Sequence, residues 1–296
     1  MTLAVHHIAQ TVHDGARLAA LYAKGAGFAV LAVDDEAQWI AAPNAFIALH
    51  ATSQAVGPRQ ASRRVCDPGI THLCIQSGDG EALWRQLDDA GLAFNAAPVA
   101  LGTGAIYAYG RDPEFNVIEV EGVGDAPAGA PSWVAHVALA TPDLDRLADF
   151  YARLIGRSVH HRGTFKNRLF EDITGLKDVE VSARWMMADN MIFEIWRYLN
   201  PPTLAAPPKR DDEPGYRHIG FAAADLDAER RRLAEAGVAV EDGPLIADLP
   251  TIGGVDPDGN RFVILETPPV HALALGGLSN PGIVADRNRH LLTAAD

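Results

Sequence analysis

Four stretches of this chain begin alike, and that internal repetition constrains the fold more than any other feature. They are VHHIAQTV at Val5, ITHLCIQS at Ile70, VAHVALAT at Val134 and YRHIGFAA at Tyr216. Each sets a histidine in a short β-type run and then passes into a helical pattern. His7 lies 15 residues before Tyr22 and 20 before Gly27, and His136 stands at the same distances from Tyr151 and Gly156. His72 and His218 each precede a glycine, Gly91 and Gly237, by 19 residues. These glycines suit the left-handed position that ends a helix. The second and fourth segments later reach an Asp-Pro turn, Asp112-Pro113 and Asp256-Pro257.

The chain therefore reads as a duplicated pair of modules, His7 and His136 standing 129 residues apart. Residues 1–121 are expected to form a first domain from modules one and two. Residues 122–131, GVGDAPAGAP, are the linker, and 132–268 form a second domain from modules three and four. Residues 269–296 are a tail without clear periodicity. Module three carries an insert around Lys166 to Lys177, and a Pro-rich loop from Asn200 to Gly215 leads into module four.

The stretch YGRDPEFNVIEVE, from Tyr109 to Glu121, turns at Asp112-Pro113 and then alternates as a strand. Val117, Glu119 and Glu121 share one face, Ile118 and Val120 the other. Carboxylates between β-branched residues make sense where the face lines a cavity holding a cation; Glu121 by itself reads better as solvated.

Composition narrows the partners. A length of 296 residues suggests two domains, and 48% apolar with 21% charged residues is ordinary for a globular protein. The net charge of −13 argues against nucleic acid, because neutralising phosphates needs a basic face. No apolar run approaches a membrane span, and MTLAVHHIAQTV lacks the features of a secretory signal. Cys66 and Cys74 form no disulfide framework and read as buried thiols of a cytoplasmic protein. The expected partner is a small-molecule substrate, and a homo-oligomer is compatible with this reading.

The fourfold β-α-β-β-β pattern, with DPDGN at Asp256 to Asn260, resembles the vicinal oxygen chelate superfamily over about residues 3–266. That superfamily includes glyoxalase I, bleomycin-resistance proteins and the type I extradiol dioxygenases. The resemblance implies an α+β fold in which four βαβββ modules pair into two half-open barrels. It also implies up to four metal-ligand positions per pair: the histidine of each first strand and a residue of each last strand. Carried onto this chain, the first domain keeps His7, His72 and Glu119, with Ala48 where a fourth ligand would stand. The second keeps His136, Glu194 and His218, with Val263 at the remaining position.

Each half would then offer two histidines and one carboxylate, the set used by non-haem Fe(II) oxygenases. Fe(II) is the favoured divalent metal, with Mn, Zn and Ni also suited to these donors. Tyr109, ten residues before Glu119, is similar to the Tyr-x-x-Asp-Pro…Glu pattern of extradiol dioxygenases, where a tyrosine holds a substrate oxygen. His50 shares the face of Ala48 on the strand where those enzymes carry an acid-base histidine. Trp196 and Tyr198 share the face of Glu194 and, with Trp185, Met186 and Met187, could line an apolar pocket or fill a core. The leading expectation is extradiol cleavage of a catechol-like ring, with Tyr109 and His50 as catalytic residues. Two alternatives stay open: a redox-neutral lyase or isomerase with Glu119 or Glu194 as base, and a metal-free sequestering protein.

Overall fold

The computed structural model describes residues 2–126, 130–207 and 209–289, without the side chains of Pro58 and Arg59. The middle of the expected linker and the end of the tail lie outside the described residues. Module one comprises β1 (Ala4–Val12), α1 (Gly15–Ala26), β2 (Ala29–Leu31), β3 (Ala37–Ala41) and β4 (Phe46–Ala51). After a short α2 (Pro58–Ala61), module two comprises β5 (Gly69–Ser77), α3 (Gly80–Ala90), β6 (Ala93–Phe94), β7 (Val99–Ala100), β8 (Ala105–Arg111) and β9 (Val117–Val123). Module three runs through β10 (Trp133–Ala140), α4 (Leu144–Ile155), β11 (His161–Lys166), α5 (Arg168–Thr174), β12 (Glu180–Met187) and β13 (Ile192–Asn200). Module four has β14 (Gly215–Ala223), α6 (Leu226–Glu235), β15 (Glu241–Asp242), β16 (Thr251–Val255) and β17 (Arg261–Glu266). The tail adds a 3-10 turn at Leu275–Gly277 and α7 (Ile283–Arg287).

Local chemistry explains why the modules repeat so closely. Seven residues after each strand histidine stands an aspartate: Asp14, Asp79, Asp143 and Asp225. Each caps its helix by accepting a backbone N–H three residues on, from Arg17, Ala82, Arg146 and Ala228. The other end follows expectation, with Gly27, Gly91, Gly156 and Gly237 all at positive φ. The two Asp-Pro turns also match. Asp112 Oδ1 accepts from the backbone of Glu114 and Asn116, and Asp256 Oδ1 from Asp258 and Asn260. Where the second turn has Gly259 at φ 84°, the first holds Phe115 at φ 67°, a conformation that strains a side chain.

The strand order corrects one expectation. The barrels do not join module one to two and three to four. One sheet runs β15-β16-β17-β14-β1-β4-β3-β2, so modules one and four pair through antiparallel β1 and β14. The other runs β11-β12-β13-β10-β5-β9-β8-β6, pairing modules two and three through β10 and β5. Hydrophobic alternation is satisfied equally by either arrangement, because all four histidine strands have the same pattern. We refer below to the outer-module sheet (one and four) and the inner-module sheet (two and three).

Buried polar contacts set the two sheets against each other. Asn44, between β3 and β4, donates through Nδ2 to the Val134 carbonyl of β10, and Asn190, between β12 and β13, donates through Nδ2 to the Val5 carbonyl of β1. Elsewhere Tyr216 Oη accepts from Leu73 N and donates to the Val117 carbonyl, tying β14 to β5 and β9. Between the sheets lies the main core, with α1, α3 and α4 contributing Leu18, Leu87 and Leu154. The tail packs rather than trails: Leu273 is fully buried, and Ile283 and Val284 lie with Trp133 and Cys74. Both cysteines are buried free thiols. Among the described residues no helix is long and apolar enough to cross a membrane.

Candidate metal centre

Strand register places the ligand positions. His7, His72, His136 and His218 are each the fourth residue of their strand. Ala48, Glu119, Glu194 and Val263 are each the third residue of the last strand of their module. Each of the latter pairs, in parallel register, with the residue two past its module's histidine: Ala9, Cys74, Ala138 and Gly220. The sheets then decide which positions meet. The inner-module sheet gathers His72, Glu119, His136 and Glu194 on one concave face. The outer-module sheet gathers His7, Ala48, His218 and Val263. The two expected triads therefore do not form. His7 is separated from His72 and Glu119, and His218 from His136 and Glu194.

At the inner-module centre the donor atoms cluster in two groups that share His136: His72, His136 and Glu194, and Cys74, Glu119, Glu121 and His136. His136 Nε2 lies 2.8 Å from Glu119 Oε2, and His72 Nε2 lies 3.1 Å from the same oxygen. His136 Nδ1 is 3.5 Å from Glu194 Oε1. Adjacent donors around a divalent ion held at about 2.1 Å sit about 3 Å apart, so the separations of Glu119 from His136 Nε2 and His72 Nε2 fit coordination edges, while Glu194 meets the other ring nitrogen of His136. His72 Nε2 is buried and meets no acceptor in hydrogen-bonding geometry. A buried ring nitrogen beside carboxylates without a hydrogen-bond partner is the signature of a candidate metal ligand. Burial works against charge on His136, but the Glu194 and Glu119 carboxylates outweigh it and raise its pKa to about 10. Burial likewise opposes ionisation of Glu119, and His136 and His72 override it, holding Glu119 below the usual carboxylate range. The cluster thus gathers negative charge that calls for a cation.

The surrounding residues orient these donors. Trp185 Nε1 donates to Glu194 Oε1 at 2.8 Å, and Trp196 Nε1 donates to Glu194 Oε2 at 2.9 Å. Both carboxylate oxygens are therefore fixed by indole N–H groups. Tyr109 pairs across strands with Glu119, and its ring meets His72 edge-on at 5.2 Å. Burial, then Glu119, drives the Tyr109 phenol well above its ordinary pKa. The cavity over this centre measures about 230 Å³, with walls that include Phe165, Phe170, Trp185 and Trp196. Phe165 and Phe170 come from β11 and α5, the second lying in the insert of module three. Met186 and Met187 pack into hydrophobic clusters away from this cavity.

Glu121, which by itself reads as solvated, lines the cavity instead. Gln76 donates to it at 2.5 Å, and burial followed by repulsion from Glu119 raises its pKa to about 7. With Cys74, Glu119 and His136 it makes a second group whose ligand atoms lie within 4.8 Å of one another. Sequence parity had put Glu121 on the face of Glu119; its register partner Gln76, beside Cys74 on β5, was the further signal.

The outer-module face differs. His7 Nε2 and His218 Nε2 are 2.9 Å apart, His7 Nδ1 and His6 Nδ1 are 2.9 Å apart, and His6 Nε2 reaches the Leu273 carbonyl at 2.8 Å. A carbonyl can only accept, so His6 carries its proton on Nε2. His7 must then donate from Nδ1, and His218 from Nε2. Neutral rings satisfy this chain, consistent with His7 and His218 being driven well below their ordinary pKa, chiefly by burial. Around Ala48 and Val263 the space is filled by Trp39, Phe46 and Leu273. His50 also belongs to this sheet, its ring 6.0 Å from that of His218. Tyr109 and His50 therefore do not share a centre.

The family comparisons agree with this architecture. A model of the Glyoxalase/Bleomycin resistance protein/Dioxygenase superfamily matches residues 4–120 and 133–264. A 2-epi-5-epi-valiolone epimerase from Actinomyces sp. is 29% identical over 148 residues, which cover 47% of this chain and 77% of that protein. Among solved structures, glyoxalase I from Zea mays superposes with a TM-score of 0.63 at 18% identity, covering 90% of this chain and 92% of its own. A putative dioxygenase from Bacillus subtilis gives 0.57 at 14% identity, covering 99% and 96%. The chain belongs to the Glyoxalase/Bleomycin resistance protein/Dioxygenase superfamily.

Proposed function

We propose that this chain is a redox-neutral, divalent-metal-dependent isomerase of the epimerase type. It would move a proton at a carbon next to a carbonyl, on a small substrate held through neighbouring oxygens. One observation carries the reading: two carboxylates, Glu119 and Glu194, flank His136 at a single centre. A three-ligand site leaves room for a chelating substrate and O₂ together, whereas a fourth protein donor occupies one of those places. The ring-cleavage expectation also needs Tyr109 and His50 at one centre, and they stand on different sheets. The name of the Actinomyces relative supports the redox-neutral class.

His72, Glu119, His136 and Glu194 would hold the metal, which supplies Lewis-acid polarisation of the substrate oxygens when bound. The chain's own groups do the rest. Glu194, aimed by the Trp185 and Trp196 N–H groups, takes the proton from carbon, and the electron pair spreads onto the neighbouring carbonyl oxygen. Inversion needs a proton returned on the face away from Glu194; Glu121, raised to about 7 by burial and the Glu119 carboxylate, lines the same cavity and would carry it, while Glu119 stays ionised. The aromatic walls shield the reacting carbon, and the carboxyl that has taken the proton exchanges it with solvent between turnovers.

Incubation of the metal-loaded protein in D₂O without air tests this, using a panel of α-hydroxy ketones, cyclic polyol ketones among them. Deuterium should enter at the carbon next to the carbonyl with the wild type and be lost with Glu194→Gln. Absence of exchange, coupled with O₂ uptake on catechols, would return the reading to ring cleavage.

A further inference from the structure

A separate cavity of about 200 Å³ opens where β5, β14 and β17 begin, and its lining includes none of the metal-centre residues. Its charged lining is one-sided, with Arg63, Arg146, Lys209, Arg217 and Arg261 set against Asp258. In a chain of net charge −13, five cations around one small cavity run against the average. They also come from separate parts of the fold: the residues after α2, the first turn of α4, the Pro-rich loop, β14 and the start of β17. Convergence of this kind is not produced by one solvated helix face.

Internal pairing neutralises only part of it. Arg146 pairs with Asp258, and Asp211 reaches Arg261 at 3.2 Å and Arg217 at 3.7 Å. Arg63 Nη2 donates to the Ile70 carbonyl at 2.6 Å, which aims the guanidinium. Arg217 Nε is buried and meets no acceptor. Burial, opposed by Glu213 and Asp211 and aided by Arg63 and Arg217, brings the Lys209 ammonium down to about 8. Positive groups held this close repel one another unless an anion lies among them.

We propose that this cavity binds a small, doubly charged oxyanion: inorganic phosphate or the phosphate of a monoester. Guanidinium forks from Arg217 and Arg261 match a tetrahedral oxyanion in pairs, and Lys209 adds a point charge. The volume falls below the range of about 300–1,000 Å³ typical of drug-sized ligands, which favours an anionic group over a whole nucleotide.

Calorimetric titration of inorganic phosphate into the full chain tests the site. The protein is first stripped of metal, and ionic strength is held constant with chloride. One ion should bind per chain with Kd below about 1 mM. Arg217→Gln and Arg261→Gln should each weaken it by about tenfold or more. Asp211→Asn supplies the control, since it removes a competing carboxylate as well as an anchor of the loop. Tighter binding in Asp211→Asn supports the site. Weakening like that of the arginine variants would mean that the cations only hold the loop, and would overturn it. So would the absence of heat beyond matched chloride, or loss of the heat in Glu119→Ala, which would move binding to the metal centre. Phenyl phosphate run in parallel separates the sources: binding shows that a monoester enters, and its failure beside phosphate binding confines the site to the free ion.

Discussion

In the inner-module sheet, His136 stands opposite Cys74 and His72 opposite Ala138 across the central strand pair. In the outer-module sheet, His218 stands opposite Ala9, but His7 stands opposite Gly220. A Cβ at Gly220 would lie 2.1 Å from His7 Cε1, so the His7 ring rests on bare backbone and meets His218. The last strands complete the contrast, with Glu119 and Glu194 on one sheet and Ala48 and Val263 on the other. One concave face therefore keeps four donors under an open cavity. The other has neutral histidines tied to each other and to the Leu273 carbonyl, beneath Trp39 and Phe46. Identical register with two changed ligands and one glycine turns what is a candidate cation site on one sheet into packed core on the other.

The largest test of that contrast is activity. Glu194→Gln keeps the shape and one of the two indole contacts, its NH2 having no acceptor to offer the other, and removes the base. It should lower turnover by about 10²–10⁴-fold. His218→Gln, at the homologous place on the other sheet, should leave turnover within a few-fold of wild type. Steady-state assays on the deuterium-exchanging substrate compare the two, and equal losses would erase the distinction between the faces.

Next in size is an attempt to restore the missing ligand. Val263→Glu puts a carboxylate among Ala9, Phe46 and Leu273. The added volume and buried charge should destabilise the protein by about 3 kcal/mol, seen as a lower urea midpoint, without recruiting a second metal. Metal uptake by Val263→Glu would instead show that the outer face is only a vacant copy of the inner one.

Acid separates the faces more gently. His6 is held at about 4 by burial, below its ordinary 6.5. The unfolded chain therefore binds more protons than the folded one between these values, so stability is full above pH 6.5 and falls as pH drops toward 4. From pH 7 to 5 the loss from His6 alone should be about 2 kcal/mol, measured by urea unfolding. His6→Gln should show a correspondingly shallower fall.

Much of this could be read from the chain. The four histidines, the helix-ending glycines, the Asp-Pro turns and the positions of Glu119 and Glu194 follow from spacing, because each module repeats the same local chemistry. Which modules share a sheet could not, since every histidine strand has the same alternation and pairs antiparallel with a similar partner. That ambiguity split one set of four donors into two expected triads and put His50 beside Tyr109. A clue was present in the pattern of filled positions. The carboxylates belong to modules two and three, which adjoin in sequence, and the blanks at Ala48 and Val263 belong to modules one and four. Pairing filled with filled yields one complete site, and pairing blank with blank yields one closed core. The collapse of His7 onto Gly220 needed tertiary packing to be visible.

Metal content per chain, measured on protein purified without air, tests the central claim most directly. The account predicts one divalent ion per chain, kept when His7 and His218 are both changed to alanine and lost in Glu119→Ala. Two ions per chain, or an ion that survives Glu119→Ala and leaves with His7 and His218, would contradict it.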